Sequence, residues 1–331
     1  MQIMEEKEIK IVLITKNFFF KQCIKKSLKS ILGFNKKFGP EEVADVLIQY
    51  KKLSALKYSI SLNKGINKST IVFAEGLNEL ELKYLIKQKQ RYKFKLVIHH
   101  GFSHPNELYN PKILNDVDYI LVPSEWVKEL FISEDNTLNF KTMSFPWPCY
   151  EYRINQKNAP KEKLVKCIIY DKSEGFDSDN DYFDLIRKLT DILQQYGITV
   201  TIIKYKHYKN EEYLDLLADS DMMIYLSNQE TQGLAQMQAW RNNIPTITFD
   251  RGFAKWSDVI CPGSSVPYYN KLVGEKFDEI RSFETVLNKF IENYDTYKPQ
   301  KYYEENFSYK AIFPKLDKLF FNILESENIN Y

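Results

Sequence analysis

Asp221-Met-Met-Ile-Tyr-Leu-Ser-Asn-Gln-Glu230-Thr-Gln-Gly-Leu-Ala-Gln-Met-Gln-Ala-Trp240-Arg-Asn-Asn-Ile-Pro-Thr-Ile-Thr-Phe-Asp250-Arg-Gly252 is the stretch on which the fold turns. Residues 222–226 form a short apolar run bounded by polar residues, the pattern of a buried strand. Residues 227–230 read as a polar loop. Residues 232–241 are good helix formers, with Thr231 placed before them as an N-cap. Asn242 and Asn243 can adopt the left-handed conformation that ends a helix, and Pro245 cannot continue one. Residues 246–249 alternate as a second strand. The spacing predicts a strand–loop–helix–strand unit of a parallel sheet. Glu230 stands just before the helix N-terminus, beside Gly233. Free N–H groups and the helix dipole attract a phosphate or a sugar oxygen there, and a glycine lets the ligand approach the backbone. An ordinary crossover unit with a surface glutamate has the same outline, so the chemistry has to be argued from more than this stretch.

The chain has 331 residues, 44% hydrophobic and 27% charged. That length predicts two α/β domains of about 150 residues each. A net charge of +2 excludes a molecule built as an electrostatic glove, so no nucleic-acid partner is expected. The 23 Tyr and 22 Phe would suit a carbohydrate-handling protein, but AT-rich coding explains the same excess. Cys23, Cys149, Cys167 and Cys261 are scattered, which indicates neither a zinc site nor a disulfide framework and fits a reducing cytoplasm. Residues 1–10 lack the apolar segment of a signal peptide, and no run approaches the roughly 18 to 20 apolar residues of a membrane span.

Residues 9–15 read as the first strand, with Lys16 and Asn17 at its carboxyl end, where parallel sheets bind ligands. No Gly-x-Gly-x-x-Gly follows, so a dinucleotide fingerprint is absent. Residues 18–32 read as a helix with Phe20, Ile24, Leu28 and Ile31 on one face and Lys21, Lys25 and Lys29 on another. It is either an amphipathic surface helix or a basic helix lying against an anionic membrane. Strands are expected at 46–49, 69–74, 94–98, 117–122 and 141–145. Helices are expected from Asn78 to residue 91 and after Ser124, which can cap the second, with Trp126 as a packing residue. The strand at 94–98 ends in His99-His100-Gly101, with Ser103 and His104 close behind. Three of the four histidines thus fall within six residues, and at least one is expected to touch a ligand. Their spacing does not resemble a helical metal pair. Residues 146–160 read as an interdomain linker. Beyond it, strands are expected at 164–170 and 198–203 and helices at 181–196, 211–217, 283–294 and 308–324, with a turn at 261–263. Lys172, just after the first of these strands, could reach a phosphate.

The stretch 210–252 resembles the donor-binding motif of the group-1 nucleotide-sugar glycosyltransferases of GT-B fold. The resemblance rests on Leu217-Ala218-Asp219-Ser220-Asp221, the strand at 222–226, Ser227, Glu230-Thr231-Gln232-Gly233-Leu234, Gln238-Ala239 and Asn243-Ile244-Pro245-Thr246. Val122-Pro123-Ser124-Glu125-Trp126 is also similar to the last helix of that family's N-terminal domain. The resemblance implies an α/β protein of two Rossmann-like domains facing across a cleft. Residues 1–150 would be the acceptor-binding domain and 151–331 the donor-binding domain, with the last helix packing back on the first. It implies that Glu230 contacts the donor sugar and that Lys172, Ser227, Thr231, Gln232, Gly233, Leu234 and Gln238 line the donor. His100 or His99 would match the family's acceptor-side histidine, with Asn17 and His104 nearby.

The implied reaction moves a sugar from a nucleotide-diphosphate sugar to a glycan or lipid-linked acceptor, with no metal and no cofactor besides the donor. It is the retaining chemistry common among such members, in a cytoplasmic protein with peripheral membrane contact, in surface polysaccharide or glycoconjugate synthesis. Two departures stand out: Gln238 replaces the family's second glutamate, which contacts the ribose, and Asn243 replaces the glycine before the proline. A basic partner for Lys172 in the loop after the first strand of the second half is also missing. A non-catalytic accessory subunit and a GT-B nucleotide-sugar isomerase are therefore the alternatives.

Overall fold

The computed structural model describes residues 10–14, 40–55, 59–62, 64–68, 70–75, 77–101, 111–149, 151, 164–172, 179–256 and 259–328. Asn17, His104, Cys23 and the basic helix expected at 18–32 lie outside them. The chain divides into two compact units, residues 1–150 with 309–331, and residues 151–308.

The first unit is built on six parallel strands: β1 (Lys10–Ile14), β2 (Ser59–Leu62), β3 (Ile71–Glu75), β4 (Lys95–His99), β5 (Tyr119–Val122) and β6 (Thr142–Ser144). Their order is β2-β1-β3-β4-β5-β6. The central strands are apolar throughout because both faces are covered. Val12, Ile14, Val72, Leu96 and Ile98 face α2 (Glu79–Tyr92) and α3 (Glu125–Glu134), meeting Leu82, Leu85, Val127 and Phe131. Their alternates Ile11, Leu13, Ile71, Phe73 and Val97 face α1 (Pro40–Leu53). The start of α2 is fixed by a capping box in which Asn78 accepts from the Glu81 N–H and Glu81 accepts from the Asn78 N–H.

Residues 46–49 are not a strand but the middle of α1. Val46, Leu47 and Tyr50 recur at helical spacing, and Pro40 suits a first helical turn, signals that outweigh a four-residue apolar run. Ser124 takes the extended conformation of an N-cap, yet its side chain makes no capping bond. Trp126 packs against the core, as its type suggested. The expected linker begins too early at 146. Trp147 is buried and stacks on Phe73 at 5.7 Å, and Cys149 is buried beside it, so this segment belongs to the first unit's core.

The second unit runs β7 (Lys166–Lys172), α4 (Asp179–Gln195), β8 (Thr199–Lys204), α5 (Asn210–Asp219), β9 (Met222–Ser227), α6 (Leu234–Arg241), β10 (Thr246–Phe249), β11 (Phe253–Trp256), β12 (Val259–Pro262), β13 (Gly274–Phe277), α7 (Ile280–Glu292) and α8 (Pro299–Asn306). Five parallel strands are ordered β13-β10-β9-β7-β8. The turn expected at 261–263 is instead the second arm of a hairpin, with Cys261 opposite Ala254 and Pro262 opposite Phe253. Helix α6 starts two residues later than expected. Thr231 is not its cap; Gly233 is, at φ +77° and ψ +51°. Asn243 ends it at φ +59°. In both sheets the chain steps to one side of its first strand and then returns to the other. The switch points lie between β1 and β3 and between β7 and β9, and ligands of open α/β sheets bind beyond the strand ends at such points.

Helix α9 (Tyr309–Asn328) completes the first unit. Ile312, Phe313, Leu316 and Phe320 join the core beneath α1. Asp317 ties the two helices together, accepting from the Tyr50 hydroxyl at 2.5 Å, the Ser54 hydroxyl at 2.7 Å and the Ala55 N–H at 3.2 Å. Burial, and then the bond to Asp317, push the Tyr50 hydroxyl far above its ordinary pKa. Asp317→Ala leaves the buried Tyr50 hydroxyl without this acceptor, so it should lower stability by about 2 kcal/mol. A urea midpoint unchanged from wild type would show that the apolar face of α9 alone holds it in place.

Candidate functional site

Strands β7 and β9 lie side by side with Lys172 in register with Ser227 at their carboxyl ends. Three residues beyond Ser227 the chain places Glu230, which is 6% exposed. Its Oε1 accepts from the Tyr225 hydroxyl at 2.6 Å, the Ser227 hydroxyl at 3.1 Å and the Lys172 ammonium at 2.6 Å. A carboxylate removed from water has to be compensated in this way or it would not stay charged. Tyr225 sits on the apolar strand, stacked on Tyr170 at 5.0 Å. Burial and the neighbouring Glu230 charge hold its hydroxyl well above the ordinary tyrosine pKa of 10.0, so it donates at every physiological pH. Sequence reasoning singled out Lys172, Ser227 and Glu230 and missed Tyr225, because a tyrosine inside an apolar run reads as core.

The loop carrying Glu230 is buttressed from below. The Glu230 N–H donates to the Ser264 carbonyl at 2.8 Å, and the Ser265 hydroxyl donates to the Ser227 carbonyl at 2.8 Å. Asp250, at the end of β10, anchors that support by accepting from the Ser265 N–H, the Ser264 hydroxyl and the Lys276 ammonium at 3.0 to 3.2 Å. Arg251 bonds Asn228 and lies over the Phe253 ring.

Thr231 and Gln232 lead into α6, where the Gln232 amide reaches the Met237 sulfur at 3.5 Å. Gly233 is required by its left-handed backbone, and a Cβ there would meet the Gln236 Oε1 at 2.9 Å. Gln236 is fully buried and donates to the Thr248 hydroxyl at 2.8 Å. Leu234 is the first residue of the helix, and Gln238 is buried on its second turn.

In the first unit the corresponding strand ends carry Glu75, in register with His99, followed by His100. All three are buried. His99 packs on Trp147 at 5.2 Å and His100 on Phe131 at 4.9 Å. Among the described residues the His99 ring makes no well-formed hydrogen bond, only a weak approach to the Phe145 backbone, and Ser124 Oγ is buried without one. Desolvation pushes the His99 pKa down to about 4, opposed only in part by the Phe145 backbone. Among the described residues no three His, Cys, Asp or Glu side chains gather as a metal site, and no helix is long and apolar enough to cross a membrane. Asp221 turns its carboxylate to the Val165 and Lys166 N–H groups at the opposite, amino-terminal end of β7, and Asp219 pairs with Lys166.

No protein-family model matches the chain, and no curated protein matches it in sequence. Solved structures do match in fold. The lipopolysaccharide outer core galactosyltransferase WaaB superposes with a TM-score of 0.57 at 14% identity, over 95% of this chain and 99% of that one. Sucrose-phosphate synthase from Thermosynechococcus elongatus gives 0.56 at 9% identity, over 96% and 100%. HepE from Anabaena, in complex with UDP and glucose, gives 0.55 at 11% identity, over 95% and 100%. These neighbours are GT-B glycosyltransferases, and the fold of this chain is GT-B.

The His99 shift has a consequence for stability. Between pH 6.5 and about 4 the unfolded chain takes up a proton that the folded chain refuses, so stability falls as pH drops through that window and levels off below it. The loss should be on the order of 3 kcal/mol, from the energy of each pKa unit. His99→Gln should flatten the unfolding free energy across this range. An unaltered pH profile in that variant would mean His99 is protonated in the native state.

Proposed function

We propose that this protein is a glycosyltransferase that moves a sugar from a nucleotide-diphosphate sugar to a glycan or lipid-linked acceptor. The observation that carries the reading is Glu230, a buried, hydrogen-bonded carboxylate at the switch point of a GT-B donor-type sheet, followed at once by a helix N-terminus opened by Gly233. In this reading the diphosphate leaves with growing negative charge, and the first N–H groups of α6 and Lys172 stabilise it without a metal or other cofactor. Glu230 binds the hydroxyls of the donor sugar, with Ser227, Thr231, Gln232 and Leu234 lining the same loop. Gln238 meets the ribose through an amide, giving up the charge-assisted strength of a carboxylate. His100 or His99 serves the acceptor, and Asn17 and His104 are assigned to acceptor binding as well. Transfer retains anomeric configuration, and the protein works in the cytoplasm at the inner face of a membrane, in surface polysaccharide or glycoconjugate synthesis.

A non-catalytic accessory subunit is the second reading. Two observations favour it: Gln238 stands where the resembling family has a carboxylate, and the Lys172 ammonium is engaged by Glu230.

A thermal-shift panel of UDP, GDP, ADP and CDP should single out one nucleotide, since a ligand of the native state raises its apparent stability. With the matching donor sugar, Glu230→Gln should lower kcat/KM by roughly a hundredfold, the scale of losing one polar contact to the reacting group. Tight nucleotide binding with no turnover under any acceptor mixture would favour the accessory subunit, and a panel with no shift at all would overturn both readings.

A further inference from the structure

Strand β8 is Thr199-Val-Thr-Ile-Ile-Lys204. It pairs with β7 on one side, and among the described residues no strand lies on its other side. Its 6 residues make it the longest edge strand of either sheet, beside 4 in β2, 3 in β6 and 4 in β13. Strand β13, at the opposite edge of the same sheet, carries Glu275 and Lys276 in its middle. Short, charged edges are how sheets avoid pairing with another chain. β8 has no proline, and its one charge stands at its end.

The faces of β8 are open as well as its edge. Val200 leans on the cluster that includes Leu189 and Leu193 of α4, and Ile203 belongs to the cluster that includes Tyr213 and Leu217 of α5. Only Ile203 is buried. Thr199, Thr201, Ile202 and Lys204 are exposed, Ile202 by 51%. All but Lys204 are β-branched, the type that packs best on a pleated surface.

The bonds to β7 fix which groups point outward. The Thr199 N–H donates to the Val165 carbonyl and the Tyr205 N–H to the Asp171 carbonyl, both at 2.7 Å. Backbone groups alternate in side along a strand, so those of Val200 and Ile202 and the Lys204 N–H point away from β7. The Lys204 carbonyl is taken by the His207 N–H at 3.0 Å. One antiparallel register centres these groups on a two-fold axis. Ile202 lies opposite Ile202 of a second copy, Val200 opposite Lys204, and Thr201 opposite Ile203. No like charges then face each other. The two Lys204 positions are about 13 Å apart at roughly 3.3 Å per residue, beyond the screening length of roughly 8 Å. The lysine-bearing stretch 204–209 of each copy runs toward residues 194–199 of the other, which carry no charge. A parallel pairing would instead set the two lysine ends side by side.

We propose that β8 is the dimerisation edge of this protein, where two copies pair antiparallel about a two-fold axis at Ile202 and join their second-unit sheets into one. Such a contact is self-complementary and closed, so each dimer uses both β8 edges. The inference does not depend on the donor-binding reading.

Sedimentation velocity of the full chain over a range of concentrations tests it. Wild type should dimerise. Ile202→Lys and Ile202→Glu each place like charges directly opposite one another at the axis, and each should weaken the dimer about tenfold or more. An equimolar mixture of the two variants should recover a dimer of near wild-type affinity, which a variant that failed to fold could not do. Leu80→Lys, at an apolar residue of the first unit that is 78% exposed, should leave the dimer unchanged. A wild type that is monomeric at every concentration would overturn the inference, including the case where β8 serves a strand of another protein. An assembly that Ile202→Lys leaves intact, or a mixture no more associated than its components, would overturn it as well.

Discussion

A carboxylate taken out of water is the constraint around which the second unit is arranged. Glu230 is compensated by a lysine 58 residues earlier in the chain, and the two meet only because β7 and β9 are neighbours in a parallel sheet. Tyr225 and Ser227 add two further donors to the same oxygen. Removing one member of such a buried set leaves charge without a partner, which is far more costly than losing a surface ion pair. The loop geometry follows from that need. Ser264, Ser265 and Asp250 hold the Glu230 segment from the next strand ends, and Gly233 turns the chain sharply enough for α6 to begin immediately afterwards.

The first unit meets the same type of strand edge in a different way. There Glu75, His99 and His100 are buried, the two histidines against aromatic rings, and His99 is kept neutral by lack of water. One set of strand ends thus holds a compensated charge and the other a histidine kept neutral by burial. In the proposed reaction this difference matches the task of each side. A leaving diphosphate calls for fixed positive charge and N–H groups, and an acceptor hydroxyl calls for a group that can take part in hydrogen bonding without carrying charge.

Much of the fold was legible because strands covered on both faces are continuous apolar runs, as in 222–226 and 167–170. Asn243 ended a helix as its backbone freedom suggested, at φ +59°. The failures have physical causes. Residues 46–49 look like a strand only when the helical spacing of Val46, Leu47 and Tyr50 is ignored. Strand β13 is the polar sequence Gly-Glu-Lys-Phe, recognisable only once β10 offers it an edge, and α8 buries little beyond Pro299 and Tyr303. In the candidate site, Lys172 could be picked out by its place after a strand and Glu230 by its place before a helix, while Ser227 came only with the family resemblance. That Lys172 bonds Glu230, and that Tyr225 completes the group, depends on strand order and ring orientation, which no local pattern encodes.

Amide hydrogen exchange with and without a saturating nucleoside diphosphate is the most direct measurement of the central claim, that the carboxyl ends of β7 and β9 hold the ligand site of the second unit. Protection on adding the nucleotide should concentrate in residues 228–237 and should be lost in Glu230→Gln when the full donor sugar is the ligand. Protection confined to other strand ends, with residues 228–237 exchanging as in the free protein, would contradict it.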